Sequence, residues 1–399
     1  LLGRAPGNID LEAARSRLEG RVVMLTGAAG SIGSELCRQI LQYSPATLLC
    51  VDQSENGIFQ LNLELPKRRN GTNLVFSVAD IGDAARMAAL MSAHGVQIVF
   101  HAAAYKHVPL MEQNPHEAVK NNVFAFLNLF KVAEAAGCEA FVMISSDKAV
   151  NPTSLMGATK RIDELILSSI PNGQMRCVAV RFGNVLGSSG SVIPVLQEQL
   201  RRDKPLTITH ADAERFFMIS REAIALVLQA FALGRHGDIL VLDMGEPVRI
   251  LNLAHSLLRL ANKSPREVEV KFIGLREGEK LREELFYSEE EVLPTNCDKI
   301  RRVHGAAANW LQLDRQLARL HAAMRAGDGA EIRARVREIV PEYCYSTNGK
   351  QPSAATRPTF LEEARPPGSE LVLTAEVLRQ VNENKTSPPL QPLCKSGSD

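Results

Sequence analysis

The sequence lacks the features that would mark a membrane-spanning or secreted protein. No apolar run reaches the roughly 18 residues that a membrane-spanning helix needs, and the first residues show no basic segment followed by an apolar one. The chain begins at Leu1 rather than at methionine, so we expect it to be processed or to be part of a longer protein. We predict that the chain from Leu1 to Asp399 forms a soluble unit.

A dominant charge and metal-binding cysteine patterns are also missing. The 46 Lys and Arg residues nearly balance the 45 Asp and Glu residues, and the net charge of +1 gives no general attraction for nucleic acid or an anionic membrane. The 7 cysteines are scattered, and none stands in a CxxC or Cys/His ligand spacing. We therefore expect no nucleic-acid partner, no metal and a reducing compartment.

What is present is typical of a globular α/β protein. The chain has 399 residues, of which 45% are hydrophobic and 23% are charged. From Arg21 onward, short apolar runs alternate with helical stretches, which predicts a parallel sheet with helices on both faces. The predicted strands are Val22–Thr26, Thr47–Asp52, Leu74–Val78, Ile98–Ala102, Ala140–Ser145 and Cys177–Arg181.

A glycine-rich turn follows the first predicted strand and opens a helix. Gly27, Gly30 and Gly33 stand in the spacing GxxGxxG, where glycines let the backbone approach a pyrophosphate and the helix N-terminus faces its charge. Asp52 ends the next strand, 19 residues after Gly33, near the distance at which an acid binds the adenosine ribose. A carboxylate there would repel a 2′-phosphate, which favours NAD over NADP. The alternatives are an ordinary tight turn and a strand-end cap.

Five longer segments carry a resemblance to a known family. They are GAAGSIGSEL from Gly27, HAAAYKHVPLMEQNP from His101, SSDKAVNPTSLMGATKR from Ser145, RFGNVLGSSGSVIP from Arg181 and GLREGEKLREEL from Gly274. Together they resemble the extended short-chain dehydrogenase/reductase family, and within it the bacterial nucleotide-sugar 4,6-dehydratases of polysaccharide and glycoprotein biosynthesis. The resemblance covers roughly residues 10 to 300.

The resemblance implies a fold, a cofactor and a reaction. The fold would be a Rossmann-like doubly wound parallel sheet with a smaller substrate-binding lobe, in a chain that forms homo-oligomers. With NAD bound, UDP-N-acetylglucosamine would be oxidised at C4, lose water across C5 and C6, and be reduced at C6. We accordingly divide the chain into a lead-in (1–20), a Rossmann domain (21–185), a region that is mainly the nucleotide-sugar lobe (186–345) and a flexible tail (346–399).

The residues after the fifth strand are the expected catalytic group. Ser146, Asp147 and Lys148 lie at the carboxyl edge of the sheet, where doubly wound folds bind their ligands. By resemblance, Ser146 bonds O4, Asp147 protonates the departing C6 hydroxyl and Lys148 deprotonates C5. A lysine acts as a base only if its pKa falls from about 10.4 toward neutrality. The alternative is an Asp/Lys surface pair.

Met156 departs from the family pattern. The broader family uses Tyr-x-x-x-Lys, whereas this chain reads Met156 to Lys160, and a thioether cannot accept the hydroxyl proton. A long-chain, membrane-tethered subgroup is similar in having methionine here. We interpret Met156 as its marker, with Asp147, directly or through water, as first choice for the initial proton acceptor and Lys160 at the nicotinamide ribose. The natural protein would then continue upstream into transmembrane helices, with this domain on the cytoplasmic side of a bacterial inner membrane.

Further site residues are expected in these segments and in the stretches between them. His101 is expected to be a strand residue. Arg276 would grip a diphosphate, since bidentate contacts from arginine to phosphate are strong; the alternative is a solvated charged turn. Asn122 would support the site geometry or be a buried amide, and Asp80 would meet the adenine edge or be a loop acid. The remaining expected cofactor residues are Ala29, Ser31, Ile32, Ile81, Ala102, Ala103, Ala104, Ser145 and Phe182, and the remaining substrate residues are Lys106, His107, Asn184, Ser188, Ser189, Arg215 and Glu279.

Two other functions compete with the dehydratase. A nucleotide-sugar 4-epimerase would need only the C4 redox step, and the Asp147–Lys148 pair argues against it because epimerisation needs no acid and base at C5 and C6. A non-catalytic NAD-binding regulator is the second alternative, and the missing tyrosine and the long tail favour it. Turnover of UDP-N-acetylglucosamine separates the three.

Overall fold

A nine-stranded sheet organises the computed structural model, which describes residues 11–170, 173–264, 267–304 and 309–345. The expected tail, with a helix predicted over 371–381, lies outside these residues. The strands are β1 (Val22–Thr26), β2 (Thr47–Asp52), β3 (Asn73–Val78), β4 (Ile98–His101), β5 (Ala140–Ile144), β6 (Arg176–Arg181), β7 (Asn184–Val185), β8 (Leu206–Ile208), β9 (Glu214–Arg215), β10 (Phe217–Met218), β11 (Asp238–Leu242), β12 (Val248–Arg249), β13 (Val270–Phe272), β14 (Glu291–Pro294) and β15 (Ile300–His304).

Helices cover both faces of this sheet. The α-helices are α1 (Leu11–Leu18), α2 (Ser31–Ile40), α3 (Glu55–Glu64), α4 (Ala84–His94), α5 (Val108–Gln113), α6 (Pro115–Val119), α7 (Ala125–Ala135), α8 (Leu155–Ser169), α9 (Val192–Arg201), α10 (Ser220–Leu233), α11 (Ile250–Leu260), α12 (Trp310–Ala326) and α13 (Gly329–Ile339). A π-helical turn, Lys120–Phe124, joins α6 to α7, and short 3-10 helices cover Leu41–Tyr43, Leu65–Arg68 and Asp147–Ala149.

The strand order of the large sheet is that of a Rossmann-like fold. The order is β14-β15-β11-β6-β5-β4-β1-β2-β3, with β1 to β6 and β11 parallel and β15 and β14 added antiparallel at one edge. Strands buried on both faces read as continuous apolar runs, and the central strands β1, β4 and β5 do so. The predicted α/β class is confirmed, and each predicted strand agrees with the observed one to within one residue.

The second lobe is smaller than the predicted range 186–345. It has its own apolar core, built from β8, α9, α11 and their connections, with Leu196, Leu206 and Leu257 among the buried residues. The prediction needs correction for the other elements of this range. Strand β11 is buried throughout and extends the large sheet, α10 packs on α1 and α2, and the α12–α13 hairpin packs on α8. Their apolar surface is therefore buried in the Rossmann core. Among the described helices, none is long and apolar enough to cross a membrane.

Candidate active site

The β1–α2 turn is built so that only glycine fits at its key positions. Gly27 has a φ of +71°, and a Cβ there would lie 2.5 Å from the backbone nitrogen of Ala103. A Cβ on Gly33 would overlap the carbonyl oxygen of Gly27. Helix α2 begins after Gly30 without a side-chain cap, so its first turn presents backbone N–H groups at a cradle without side chains. This geometry fits the diphosphate of a dinucleotide.

Asp52 fixes this turn at the end of β2. Its two carboxylate oxygens accept hydrogen bonds from the backbone N–H groups of Ala29 and Ser54, each at 2.9 Å. The alternative role as a strand-end cap is therefore present in the structure. Because each carboxylate oxygen has a further lone pair, the same group can still accept hydrogen bonds from ribose hydroxyls.

The other expected cofactor residues divide into two groups. Ala102 and Ala103 border the glycine turn, and Asp80 is exposed and accepts a hydrogen bond from the Gly82 backbone at 2.8 Å, as the loop alternative has it. In the second group, Ser145 and Asn122, the side chains bind other residues of the protein. The Ser145 hydroxyl donates to Glu164 at 2.6 Å inside the protein, so it is bound to a buried carboxylate rather than turned to a ligand.

Asn122 is a buried amide at the place expected of it. Its buried amide accepts from the Tyr105 N–H at 2.8 Å and donates to the Tyr105 carbonyl and to the Thr159 hydroxyl, both at 3.0 Å. All of these partners belong to the protein. Asn122 therefore ties the loop after β4 to α8 and supports the site geometry instead of contacting a cofactor.

The expected catalytic segment begins immediately after β5. Asp147 is fully buried, and its Oδ1 accepts hydrogen bonds from the Ser146 hydroxyl at 2.9 Å and from Lys148 Nζ at 3.0 Å. Its Oδ2 has no hydrogen-bond partner among the described residues. Burial raises the pKa of the Asp147 carboxyl, and the neighbouring Lys148 only partly opposes this. Asp147 is thus a carboxyl group that binds a proton more readily than an exposed aspartate does.

Lys148 lies between two carboxylates. Its Nζ is 3.0 Å from Asp147 Oδ1, 3.4 Å from Glu283 Oε1 and 3.3 Å from Asn184 Oδ1. Burial acts to lower the pKa of the Lys148 ammonium, but Asp147 and Glu283 raise it by more, so it lies above its ordinary value. The lowered pKa that a lysine base requires is therefore not met in the free protein. Lys148 is an ammonium at neutral pH.

Helix α8 carries the segment that replaces Tyr-x-x-x-Lys. The helix is capped by Ser154, whose hydroxyl accepts from the Gly157 N–H at 3.1 Å. Met156 is buried, and Lys160 donates to the buried Asp163 carboxylate at 3.0 Å. Burial raises the pKa of Asp163 to about 7. This helix therefore holds Lys160 in place through an acid one turn further on.

His101 occupies the strand position expected of it. It is buried in β4, and its Nδ1 is 2.9 Å from the Thr26 hydroxyl. Burial lowers the pKa of the His101 imidazole to about 3, and the charge on Lys160 adds to this effect. The ring is neutral at physiological pH and does not serve as a proton donor there.

A charged cavity adjoins Lys148. The guanidinium of Arg215 donates to Glu279 at 2.9 Å, and Arg276 is exposed at the rim. Sequence reasoning singled out these three residues but missed Glu283, whose only signal was its place in the segment from Gly274. The cavity is lined by Val108, Pro109, Lys148, Thr153, Ser154, Arg215, Arg276, Gly278, Glu279, Lys280 and Glu283.

The loop after β7 does not line this cavity. The Ser189 N–H donates to the Ser31 hydroxyl at 3.0 Å, and the Ser189 carbonyl accepts from Lys106 Nζ at 2.8 Å. A Cβ on Gly190 would overlap the His107 ring. Ser188, Ser189, Lys106 and His107 therefore lie together against the β1–α2 turn, and their expected contacts with the substrate stay a prediction.

The sheet order, the glycine turn and the charged cavity together define a Rossmann-type nucleotide-binding protein. Residues 23–305 match the model of the family described as "Polysaccharide biosynthesis protein", and the chain belongs to this family. Within the described ranges, no group of three or more His, Cys, Asp and Glu side chains could hold a metal ion.

Relatives with named activities belong to two reaction classes. The chain is 44% identical over 339 residues to "Probable polysaccharide biosynthesis protein EpsC" of Bacillus subtilis, covering 84% of this chain and 56% of EpsC. It is 32% identical to "UDP-N-acetylglucosamine 4,6-dehydratase (inverting)" of Campylobacter jejuni (69% of this chain, 80% of the relative). It is 34% identical to "UDP-glucose 4-epimerase" of Rickettsia felis (68% and 79%). The chain thus spans about half the length of EpsC.

The fold also agrees with that of a solved relative. The X-ray structure of Pen from Bacillus thuringiensis superposes with a TM-score of 0.66 at 29% identity, over 73% of this chain and 88% of Pen.

Proposed function

We propose that this chain is the catalytic domain of an NAD-dependent UDP-N-acetylglucosamine 4,6-dehydratase for surface polysaccharide or glycoprotein biosynthesis. The observation that carries the proposal is the Asp147–Lys148 pair at the carboxyl end of β5, with Asp147 buried and Lys148 partly buried, next to a cavity with two arginines. Elimination of water across C5 and C6 needs one group that gives a proton to the leaving oxygen and another that takes the C5 proton.

The residues around the β1–α2 turn support NAD as the cofactor. Gly27 and Gly33 leave room for a diphosphate, and Asp52 stands where a 2′-phosphate would meet like charge. When bound, NAD supplies hydride acceptance from C4 and hydride return to C6. The chain itself must then orient the sugar and move protons.

Asp147 has the properties required of a proton carrier. Its burial and its unpartnered Oδ2 let it take the C4 hydroxyl proton and deliver it to the departing C6 hydroxyl, so that one carboxyl serves both steps. The Ser146 hydroxyl donates to Asp147 Oδ1 at 2.9 Å in the free protein, and it is the hydroxyl expected to bond O4 of the bound sugar. Arg215 and Arg276 supply the positive charge that a nucleotide diphosphate requires.

A 4-epimerase is the second candidate because the R. felis epimerase is about as similar to this chain as the C. jejuni dehydratase. The two reactions share the C4 redox step and differ at C5. An epimerase has no use for a buried acid and lysine side by side, which is why the Asp147–Lys148 pair favours the dehydratase.

The deciding experiment is incubation of the purified chain and NAD with UDP-N-acetylglucosamine, followed by mass spectrometry and NMR. A dehydratase product has lost one water and, in D2O, carries deuterium at C5. An epimerase product has unchanged mass and inverted C4. Asp147→Asn is the matched control for contaminating activity. Unchanged substrate with NAD bound would refute both enzymes and favour the regulator.

A further inference from the structure

Glu283 is a buried carboxylate that the proposed reaction does not yet use. Its side chain is 3% exposed, and its Oε1 lies 3.4 Å from Lys148 Nζ and 3.9 Å from Arg215 Nε. Its Oε2 is buried and has no hydrogen-bond partner among the described residues. A buried carboxylate oxygen without a hydrogen-bond partner lowers the stability of the folded protein. An oxygen of this kind beside the expected base is therefore a candidate for a functional role.

The charges around Glu283 keep it ionised in the free protein. Burial alone would raise the pKa of its carboxyl, but Lys148, Arg215 and Lys280 lower it by more, and the Asp147 carboxylate lies on the other side of Lys148. Lys148 is therefore an ammonium held between two carboxylates. An ammonium has no lone pair, so it cannot take the C5 proton until it has lost a proton of its own.

We propose that Glu283 accepts a proton from Lys148 and thereby converts this lysine into the base that removes the C5 proton. The inference rests on the proposed dehydratase function. The Lys148 N–H bond breaks and an O–H bond forms on Glu283, which turns the ion pair into a neutral amine and a neutral acid without changing the total charge. When the sugar fills the cavity and excludes water, the ion pair loses solvation and the neutral pair becomes accessible.

The proton balance closes with this step. The neutral Lys148 amine takes the C5 proton, and the electron pair moves to the C4 carbonyl oxygen. The C6–O bond then breaks, and the oxygen leaves as water with the proton that Asp147 had taken from the C4 hydroxyl. After C6 has been reduced, Lys148 returns a proton to C5 and Glu283 returns its proton to Lys148.

Asp147 cannot replace Glu283 in this step. It is already holding the C4 hydroxyl proton when C5 must be deprotonated, so its carboxyl is not free to relieve Lys148. Glu279 is also engaged, because its Oε1 accepts hydrogen bonds from Thr209 and Arg215 and its Oε2 accepts one from the Arg276 backbone. Glu283 acts through Lys148 and is a positioning residue in the proton path.

The test follows exchange of the C5 proton in the 4-keto product, which is acidic and needs only the base and its partner. The product is incubated in D2O with wild type, Glu283→Gln, Glu283→Asp and Glu284→Gln, and deuterium at C5 is read by NMR. Glu284 is a matched control, since its carboxylate accepts hydrogen bonds from Lys280 and Asn151 and none from Lys148. We expect Glu283→Gln to slow exchange by about 10²-fold or more, Glu283→Asp to restore part of it, and Glu284→Gln to match wild type.

The opposite result is equally specific. If Glu283 acted only through its charge, Glu283→Gln would lower the pKa of Lys148 and make its free amine more abundant. Exchange of the C5 proton would then be unchanged or faster, and this result would overturn the proposal. Slow exchange in Glu283→Gln that rises with pH supports it, because Lys148 must then lose its proton to solvent. Loss of UDP-N-acetylglucosamine binding in Glu283→Gln, measured by calorimetry, would indicate a structural role and would also overturn it. A wild type that dehydrates no substrate would instead defeat the proposed function.

Discussion

The buried carboxyl of Asp163 is expected to make the stability of this protein depend on pH, and a single substitution can remove its contribution. The residue lies on α8, is fully buried, and binds Lys160 at 3.0 Å through Oδ2, while its Oδ1 has no hydrogen-bond partner in the described part of the chain. Burial raises the pKa of its carboxyl from 3.8 to about 7, with Lys160 opposing the shift and Glu164 adding to it. The folded protein therefore binds this proton more tightly than the unfolded chain does.

The sign and the size of the effect follow from linkage. A folded-state pKa above the unfolded one contributes stability that is full below pH 3.8 and is lost as the pH rises through about 7. Between about pH 5 and about pH 8 the loss amounts to about 2–3 kcal/mol for this single group. The asparagine side chain in Asp163→Asn has nearly the same shape as aspartate and is neutral at every pH. The contribution of residue 163 to the pH dependence of stability should therefore disappear in this variant.

The measurement is urea unfolding of wild type and Asp163→Asn at both pH values, with Asp314→Asn, an exposed acid on α12, as the control. We expect wild type and the control to lose about 2–3 kcal/mol more than Asp163→Asn on going from the lower to the higher pH. Equal losses in all three proteins would refute the reasoning, because Asp163 would then be ionised in the folded state as readily as in the unfolded chain.

Three further predictions concern the cofactor, the catalysis and the helical hairpin. Stripped protein should bind NAD far more tightly than NADP because of Asp52, and similar affinities in calorimetry would contradict this. Asp147→Asn should lower turnover by about 10²- to 10⁴-fold, whereas Met156→Ala should keep measurable turnover; an active Asp147→Asn beside a folded but inactive Met156→Ala would reverse the assignment. Arg333→Met should lower the free energy of unfolding, measured with urea, by about 3–5 kcal/mol, because the buried carboxylate of Glu112, 3.1 Å away, loses its ion-pair partner. A decrease of less than about 1 kcal/mol would contradict this prediction.

Local pattern predicted most of the fold because the parallel strands are short apolar runs with clear ends. The first βαβ unit is an example: the spacing of Ile32, Leu36 and Ile40 predicts one buried face of α2, and Leu36 and Ile40 are buried while Ile32 is half-buried. The local sequence pattern did not predict which of the two hydrophobic cores an apolar segment packs into. Nothing within α10 or β11 indicates that they pack on the first lobe, because that choice depends on contacts with α1, α2 and β6. The expected oligomer and upstream membrane segments stay predictions.

The candidate site shows the same limit in its electrostatics. The sequence shows Lys148 beside Asp147, and it makes a lowered lysine pKa a condition for base catalysis that burial could meet. Whether a buried lysine loses its proton depends, however, on how many carboxylates face it, and the second one, Glu283, lies 135 residues further along the chain. With both carboxylates present the ion pair outweighs desolvation, and the lysine keeps its proton until something in the reaction removes it. The motif therefore predicts which residue is the base, whereas the pKa of that residue depends on a carboxylate far along the chain.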